Sequence, residues 1–202
     1  GSSSGTHVLE EGRSIGQFYG LVCNGIDENG RYIMVDKDGD GEISDPADYD
    51  YIGSAQPKLT YGITNTFRYK NFDLSFFLRG TIGNDILNAT RMAYAQSGFL
   101  PGTNALDDPL TYTLSETPRF SNYYLEKGSF MRLDNLTLGY KIKALNGIRV
   151  YFTAQNLFVI TKYKGLDPEV PMDSGDGLTP GVEPREFYPK ARTFSVGLNL
   201  NF

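Results

Sequence analysis

An all-β chain of antiparallel strands, apolar on one face and polar on the other, is what this sequence predicts, in the manner of a transmembrane barrel. Three observations carry that reading. Over the last ten residues, Phe194, Val196, Leu198, Leu200 and Phe202 alternate with Ser195, Gly197, Asn199 and Asn201, and a period of two puts one set on each face of a strand. The second set is small and polar, which suits a wet interior better than a surface rich in Lys and Glu. Short turns also alternate with long loops along the chain, the asymmetry of barrels with tight turns on the periplasmic side and long loops outside. The 23 Gly, 14 Tyr and 13 Phe agree with many turns and half-buried strands.

Taken in order, Ile15–Asn24 holds β-formers and two glycines and reads as a first strand with no clear face. Residues 25–57 are rich in Asp and Gly and read as an extracellular loop with a short strand at Tyr32–Val35. Leu59, Tyr61, Ile63, Phe67 and Tyr69 then alternate with Thr60, Gly62, Thr64, Thr66 and Arg68, broken once by Asn65. A tight Lys70-Asn71 turn leads to Phe72, Leu74, Phe76 and Leu78 against Asp73, Ser75 and Arg79, a hairpin. Residues 81–128 show no sustained β pattern, with a short helix expected over Asp85–Gln96 and three prolines beyond it. Alternation resumes over Phe130–Ile142, turns near Leu145-Asn146-Gly147, and continues with Ile148, Val150, Phe152 and Ala154. Residues 157–192 form a third, proline-rich extracellular loop before the closing strand.

A soluble sandwich shows the same alternation, but an unstructured stretch from 81 to 128 counts against a compact domain. Six membrane strands do not close, since the smallest barrels use about eight and open edges in lipid leave backbone groups unpaired. Two strands are therefore hidden in the loops, or the chain is part of a larger barrel. With lipid on the even side of the last strand, Leu198 is expected near the hydrocarbon midplane and Asn199 in the lumen. Tyr69, Phe72, Tyr140 and Phe202 sit near strand ends and suit an interfacial girdle. Arg132, Asp134 and Arg149 suit a wet lumen. The loop aromatics Phe99, Tyr112, Phe120, Tyr123 and Tyr124 are candidates for contact with a ligand or partner.

Composition excludes several classes. A net charge of −5 with no basic cluster argues against nucleic acid, whose binding needs cations to neutralise phosphates. No apolar run is long enough for a transmembrane helix. Cys23 is single, so no internal disulfide forms, and His7 is the one histidine; neither makes a nucleophile–base or zinc site. No paired acids in a recognisable frame and no phosphate-binding glycine loop appear, so an enzyme is not expected. The opening Gly1-Ser2-Ser3-Ser4-Gly5 has neither start Met nor signal peptide and reads as an added remnant or a flexible native loop, so a complete secreted precursor is not expected.

Asp36, Asp38 and Asp40, with Gly41 and Ile43, match the first eight positions of an EF-hand loop. That motif places oxygen donors at 1, 3 and 5, a turn-forming Gly at 6 and a backbone carbonyl, here of Glu42, at 7. Position 12 is Ala47, so the last ligand falls to Asp48, with Asp45 as the other candidate. The expected ion is Ca2+ in a structural role; the plain alternative is a solvated Asp-Gly turn.

Several segments, in this order, resemble the C-terminal end of SusC/RagA-type TonB-dependent outer-membrane transporters. They are residues 12–20 (GRSIGQFYG), 36–41 (DKDGDG), 52–57 (IGSAQP), 124–133 (YLEKGSFMRL), 135–140 (NLTLGY), 155–158 (QNLF), 161–169 (TKYKGLDPE) and 197–202 (GLNLNF). The resemblance covers nearly the whole chain except the variable parts of 81–123 and 170–186. It implies that 1–202 is the C-terminal portion of a barrel of about 22 strands with a plugged lumen. It further implies a SusD-like surface lipoprotein over the mouth, coupling to TonB through the missing N-terminal part, and import of oligosaccharides or peptides. The competing reading is a small self-contained, calcium-dependent β-rich surface module or adhesin.

Overall fold

The computed structural model describes residues 2–102, 104–143, 148–170, 177–185 and 188–200. Its first six strands are β1 (Ser2–Ser4), β2 (His7–Leu9), β3 (Gln17–Leu21), β4 (Cys23–Ile26), β5 (Tyr32–Met34) and β6 (Tyr49–Ser54). They are followed by β7 (Leu59–Tyr69), β8 (Phe72–Ile82), β9 (Asp85–Leu87), β10 (Leu125–Lys127), β11 (Phe130–Ile142), β12 (Ile148–Thr161) and β13 (Thr193–Asn199). Two short helices, α1 (Ala89–Tyr94) and α2 (Pro109–Thr113), lie between β9 and β10.

The long strands form one antiparallel meander in the order β13-β12-β11-β8-β7. Strands β7, β8, β11 and β12 run 11, 11, 13 and 14 residues, enough to cross a bilayer when tilted. Register sorts the faces. Phe67, Leu74, Leu138, Phe152 and Val196 stand opposite one another in a row, as do Asn65, Phe76, Leu136, Ala154 and Phe194. On the other face, Thr66, Ser75, Thr137, Thr153 and Ser195 form a polar row. Apolar side chains aligned along five strands make a lipid face, and the polar rows face the lumen.

Tyr69, Phe72, Tyr140, Val150 and Leu198 share a row close to the short-connection end of the sheet, and the Phe72 and Tyr140 rings lie 4.6 Å apart. Three of the expected girdle aromatics are therefore together; Phe202 lies outside the described residues, as does the Leu145-Asn146-Gly147 turn. Leu198 belongs to this girdle row and not to the midplane. The midplane falls near the Asn65–Phe194 row, about halfway along β7, given an apolar band roughly 25 Å tall.

In the row Arg68, Asp73, Gly139, Tyr151 and Gly197, both glycines are required by close approach. A Cβ on Gly139 would lie 2.5 Å from Asp73 Oδ1 and 2.4 Å from Arg149 Nη2, and one on Gly197 would enter the Tyr151 ring. Gly139 thus leaves room for an ion pair that crosses β11, Arg149 Nε and Nη2 donating to Asp73 at 2.9 and 2.5 Å.

The segment Ile15–Asn24, expected as a membrane strand, is not one. It supplies β3 and β4, which belong to other sheets: β1-β2-β3-β6, and the pair β4-β5. The meander therefore holds five strands. A strand's own pattern records that it pairs, not with which sheet. The long connections are folded as well, since 25–57 contains β5 and β6 and 81–128 contains β9, α1, α2 and β10. The helix expected over Asp85–Gln96 is confined to α1, because Asp85–Leu87 pairs with β10 and Asn88 Oδ1 caps the helix by accepting from the Arg91 amide at 2.8 Å. Phe18, Ala55, Leu87, Ala95, Leu110 and Tyr124 are buried together, so the mouth has its own core. Tyr124 is fully buried and so not free to meet a ligand, Phe120 is partly buried and packs over Gly20, and Tyr112 is 75% exposed.

Strand β12 continues to Thr161, into the stretch from 157 expected as loop. Asn156 sits on the apolar parity and adopts φ 51°, a conformation Asn tolerates better than most residues, and Leu157–Ile160 is apolar without alternation. Register shifts at this level between Leu133 and Asn135, a bulge that re-aims side chains toward the lumen.

Candidate functional site

The bulge places charges on the lumen face, toward the end of the sheet away from the short connections. Arg79 comes from β8, Arg132 and Asp134 from β11, and Asn156 from β12. Asp167 and Glu169 follow β12, and Lys190 precedes β13. Arg79 binds Asp134 and grips Glu169 with Nη1–Oε1 at 2.5 Å and Nη2–Oε2 at 2.9 Å. Arg132 Nη2 donates to Asp167 Oδ1 at 2.5 Å, and its Nε lies 3.1 Å from Glu169 Oε2. Arg132 Nη1 also donates to Asn156 Oδ1, while Asn156 Nδ2 donates to the carbonyls of Lys190 and Ala191. Lys190 Nζ reaches Glu169 Oε2 at 2.6 Å.

Three cations thus face three carboxylates, and the set latches the segments on both sides of the third loop to the barrel wall. Arg132 is 1% and Asp167 4% exposed, so Arg132 lies under the returning loop and does not line open water. Burial would raise the Glu169 carboxyl, but hydrogen bonds from Arg79 and Lys190 outweigh it and hold the group below the usual range. Beside the latch, a cavity of about 420 Å³ is lined by Arg79, Glu169, Thr60, Thr81, Asn84 and Phe130, among others. The balanced charge suits a wall element better than a site for a free ion.

The Asp-rich loop is the second candidate. Carboxylate oxygens of Asp36, Asp38 and Asp40 come within 4.8 Å of one another. Each also accepts backbone N–H groups of the loop: Asp36 from Gly39 and Gly41, Asp38 from Asp40, and Asp40 from Glu42. Asp48 is not brought to this trio. Its buried carboxylate accepts from the amides of Lys37 at 2.6 Å, Ser44 at 2.8 Å and Asp38 at 3.4 Å, closing the loop from beneath. Asp45 pairs with Arg119 at 2.8 Å. Three of the expected carboxylates therefore converge, and the other two organise the loop.

The Ser44 and Lys37 amides hold the Asp48 carboxyl below its ordinary 3.8. A depressed folded pKa stabilises the loop fully above about pH 4–5 and loses that effect only as pH falls through the folded value. Hydroxyl-radical footprinting of residues 36–48 should therefore stay flat from pH 7 to about 5 and rise below about 4. Asp48→Asn should abolish that step; an equal step in the variant would assign it elsewhere.

Two of the latch's three acids, Asp167 and Glu169, and its lysine, Lys190, were not singled out from sequence. The available signal was the segment TKYKGLDPE, which carries two of them.

A lipid-faced meander with short turns at one end and a folded, latched layer at the other defines this chain as part of an outer-membrane β-barrel. No protein-family model matches it. The chain is 34% identical over 237 residues to TonB-dependent receptor P3 of Formosa agariphila, spanning 98% of the chain and 23% of that protein. It is 36% identical over 221 residues to TonB-dependent receptor SusC of Bacteroides thetaiotaomicron, spanning all of the chain and 21% of SusC. Its fold matches the RagAB peptide importer in the closed-closed state with a TM-score of 0.69 at 26% identity, over 90% of this chain and 22% of that one. The chain belongs to the SusC/RagA-type TonB-dependent outer-membrane transporters, and it spans about a fifth of the length of the relatives it matches.

Proposed function

We propose that this chain is wall and mouth of an outer-membrane importer of oligosaccharides or peptides, energised through TonB and capped by a SusD-like lipoprotein. The observation that carries the reading is the five-stranded meander with its folded mouth layer, superimposing on RagAB over 90% of the chain. The polar lumen rows and the latch give a wetted wall on the inside and an ordered platform outside. A self-contained surface module fits poorly, because among the described residues β7 and β13 have no outer neighbour and lipid does not tolerate open edges. The test is uptake of labelled oligosaccharide and peptide pools by cells with and without the full-length protein, with and without a protonophore. Energy-dependent uptake of one pool, with a lipoprotein co-purifying, is expected; uptake indifferent to the protonophore overturns the reading.

In the same reading, Asp36, Asp38 and Asp40, with the Glu42 carbonyl, hold Ca2+ to stiffen the mouth. Carboxylate and carbonyl oxygens are the donors a hard cation takes, at about 2.3–2.6 Å. Asp38→Ala combined with Asp40→Ala should make residues 25–57 several-fold more sensitive to protease, and chelation should reproduce this in the unaltered protein. Equal digestion with and without calcium would reduce the loop to an ordinary turn.

A further inference from the structure

The short-turn end of the sheet carries a charge imbalance that neither the latch nor the lipid face uses. Among the described residues that build this end, 66–75, 137–143, 148–152 and 195–200, the cations are Arg68, Lys70, Lys141, Lys143 and Arg149, and Asp73 is the only acid. This stands in a chain whose net charge is −5. Register places Arg68 in the lumen row of Asp73, and Lys141 opposite Arg149 and next to it. Both oxygens of Asp73 are taken by Arg149. Arg68 and Lys141 are exposed, with no second acid in these segments, and they border a cavity of about 480 Å³.

Lys141 stands directly opposite Arg149 on the neighbouring strand, and like charges so placed repel, a strain that an anionic surface relieves. Because the side chains alternate inward, that surface lies in the lumen and not among lipid headgroups. Outer-membrane transporter barrels of about 22 strands have a plugged lumen, unlike the open porins, and this chain supplies about a fifth of its relatives' length. The geometry points to a docking site: Arg68, Lys141 and the Asp73-bound Arg149 form a basic rim that seats an acidic surface of the lumen-filling part of the same polypeptide at the periplasmic end. The rim then fixes how readily the lumen opens. This does not depend on what the transporter carries.

The experiment uses the full-length transporter in planar bilayers, with the frequency of channel openings as readout and no substrate present. Arg68→Glu with Lys141→Glu should raise opening frequency about tenfold at 0.15 M salt. The unaltered protein should move in the same direction at 1 M salt, where the screening length falls from about 8 to 3 Å. Arg68→Lys with Lys141→Arg should remain closed. If charge reversal lowers the yield of heat-modifiable barrel, Arg68→Gln with Lys141→Gln serves instead, with an increase of about threefold. Openings unchanged in folded barrels of these variants overturn the proposal. So does an unchanged frequency accompanied by loss of phosphatidylglycerol retained in native mass spectrometry, which would give the rim to anionic headgroups.

Discussion

Replacing Arg132 with alanine in the full-length protein should destabilise the mouth by about 3–5 kcal/mol, the cost of leaving a buried partner charge uncompensated. Asp167, 4% exposed, would lose the guanidinium 2.5 Å away, and Glu169 would lose one of its three cations. Asn156 would lose a donor at the bulge, loosening the approach to β13. Truncating Lys190, whose side chain is 44% exposed, should cost less than about 1 kcal/mol. Removing both buried charges together, as Arg132→Met with Asp167→Leu, should be far milder than Arg132→Ala alone, because no orphan charge remains. Protease accessibility of residues 162–170 under graded denaturant reads all three variants. If Arg132→Ala proved no worse than Lys190→Ala, the latch would be decorative.

The second large effect concerns the membrane face. Leu136→Arg places a cation in the row of Asn65, Phe76, Ala154 and Phe194, near the midplane, and should cost about 2–4 kcal/mol. Thr137→Arg, one residue along, points to the lumen and should be tolerated. Leu198→Arg, in the girdle row, should cost only about 0–1 kcal/mol. The yield of folded barrel in the outer membrane should rank Thr137→Arg above Leu198→Arg and both above Leu136→Arg. A Thr137→Arg defect exceeding that of Leu136→Arg would invert the faces.

What could be read without coordinates was whatever repeats along a strand. The β7–β8 hairpin, β11 and most of β12 announce themselves by alternation, and their faces follow. The depth of a residue does not, because it depends on where neighbouring strands begin and end; Leu198 looks central within its own strand and is peripheral in the sheet. The mouth layer was illegible for a related reason. Phe18 comes from β3, and Leu87, Leu110 and Tyr124 from three separate pieces of 81–128, with no period to betray a shared core. The Asp73–Arg149 pair is hidden likewise, since two residues far apart in sequence meet across an intervening glycine. The Asp-rich loop was legible as a motif because its chemistry is local, yet the true role of Asp48 needed the third dimension.

The composition of the mouth core also fixes an order of events. Phe18 precedes β7 and β8 in the chain, Leu87 and Leu110 follow them, and Tyr124 comes just before β11. In the proposed orientation this layer lies outside the cell, so its polypeptide must cross the membrane before it can pack, and the core assembles only after the hairpin between its parts has been threaded. Contacts of such long sequence separation form slowly, which makes closure of the mouth a late step that follows insertion. A partly inserted barrel would carry these aromatic segments unpacked, on the side of the membrane where chaperones and proteases can still reach them.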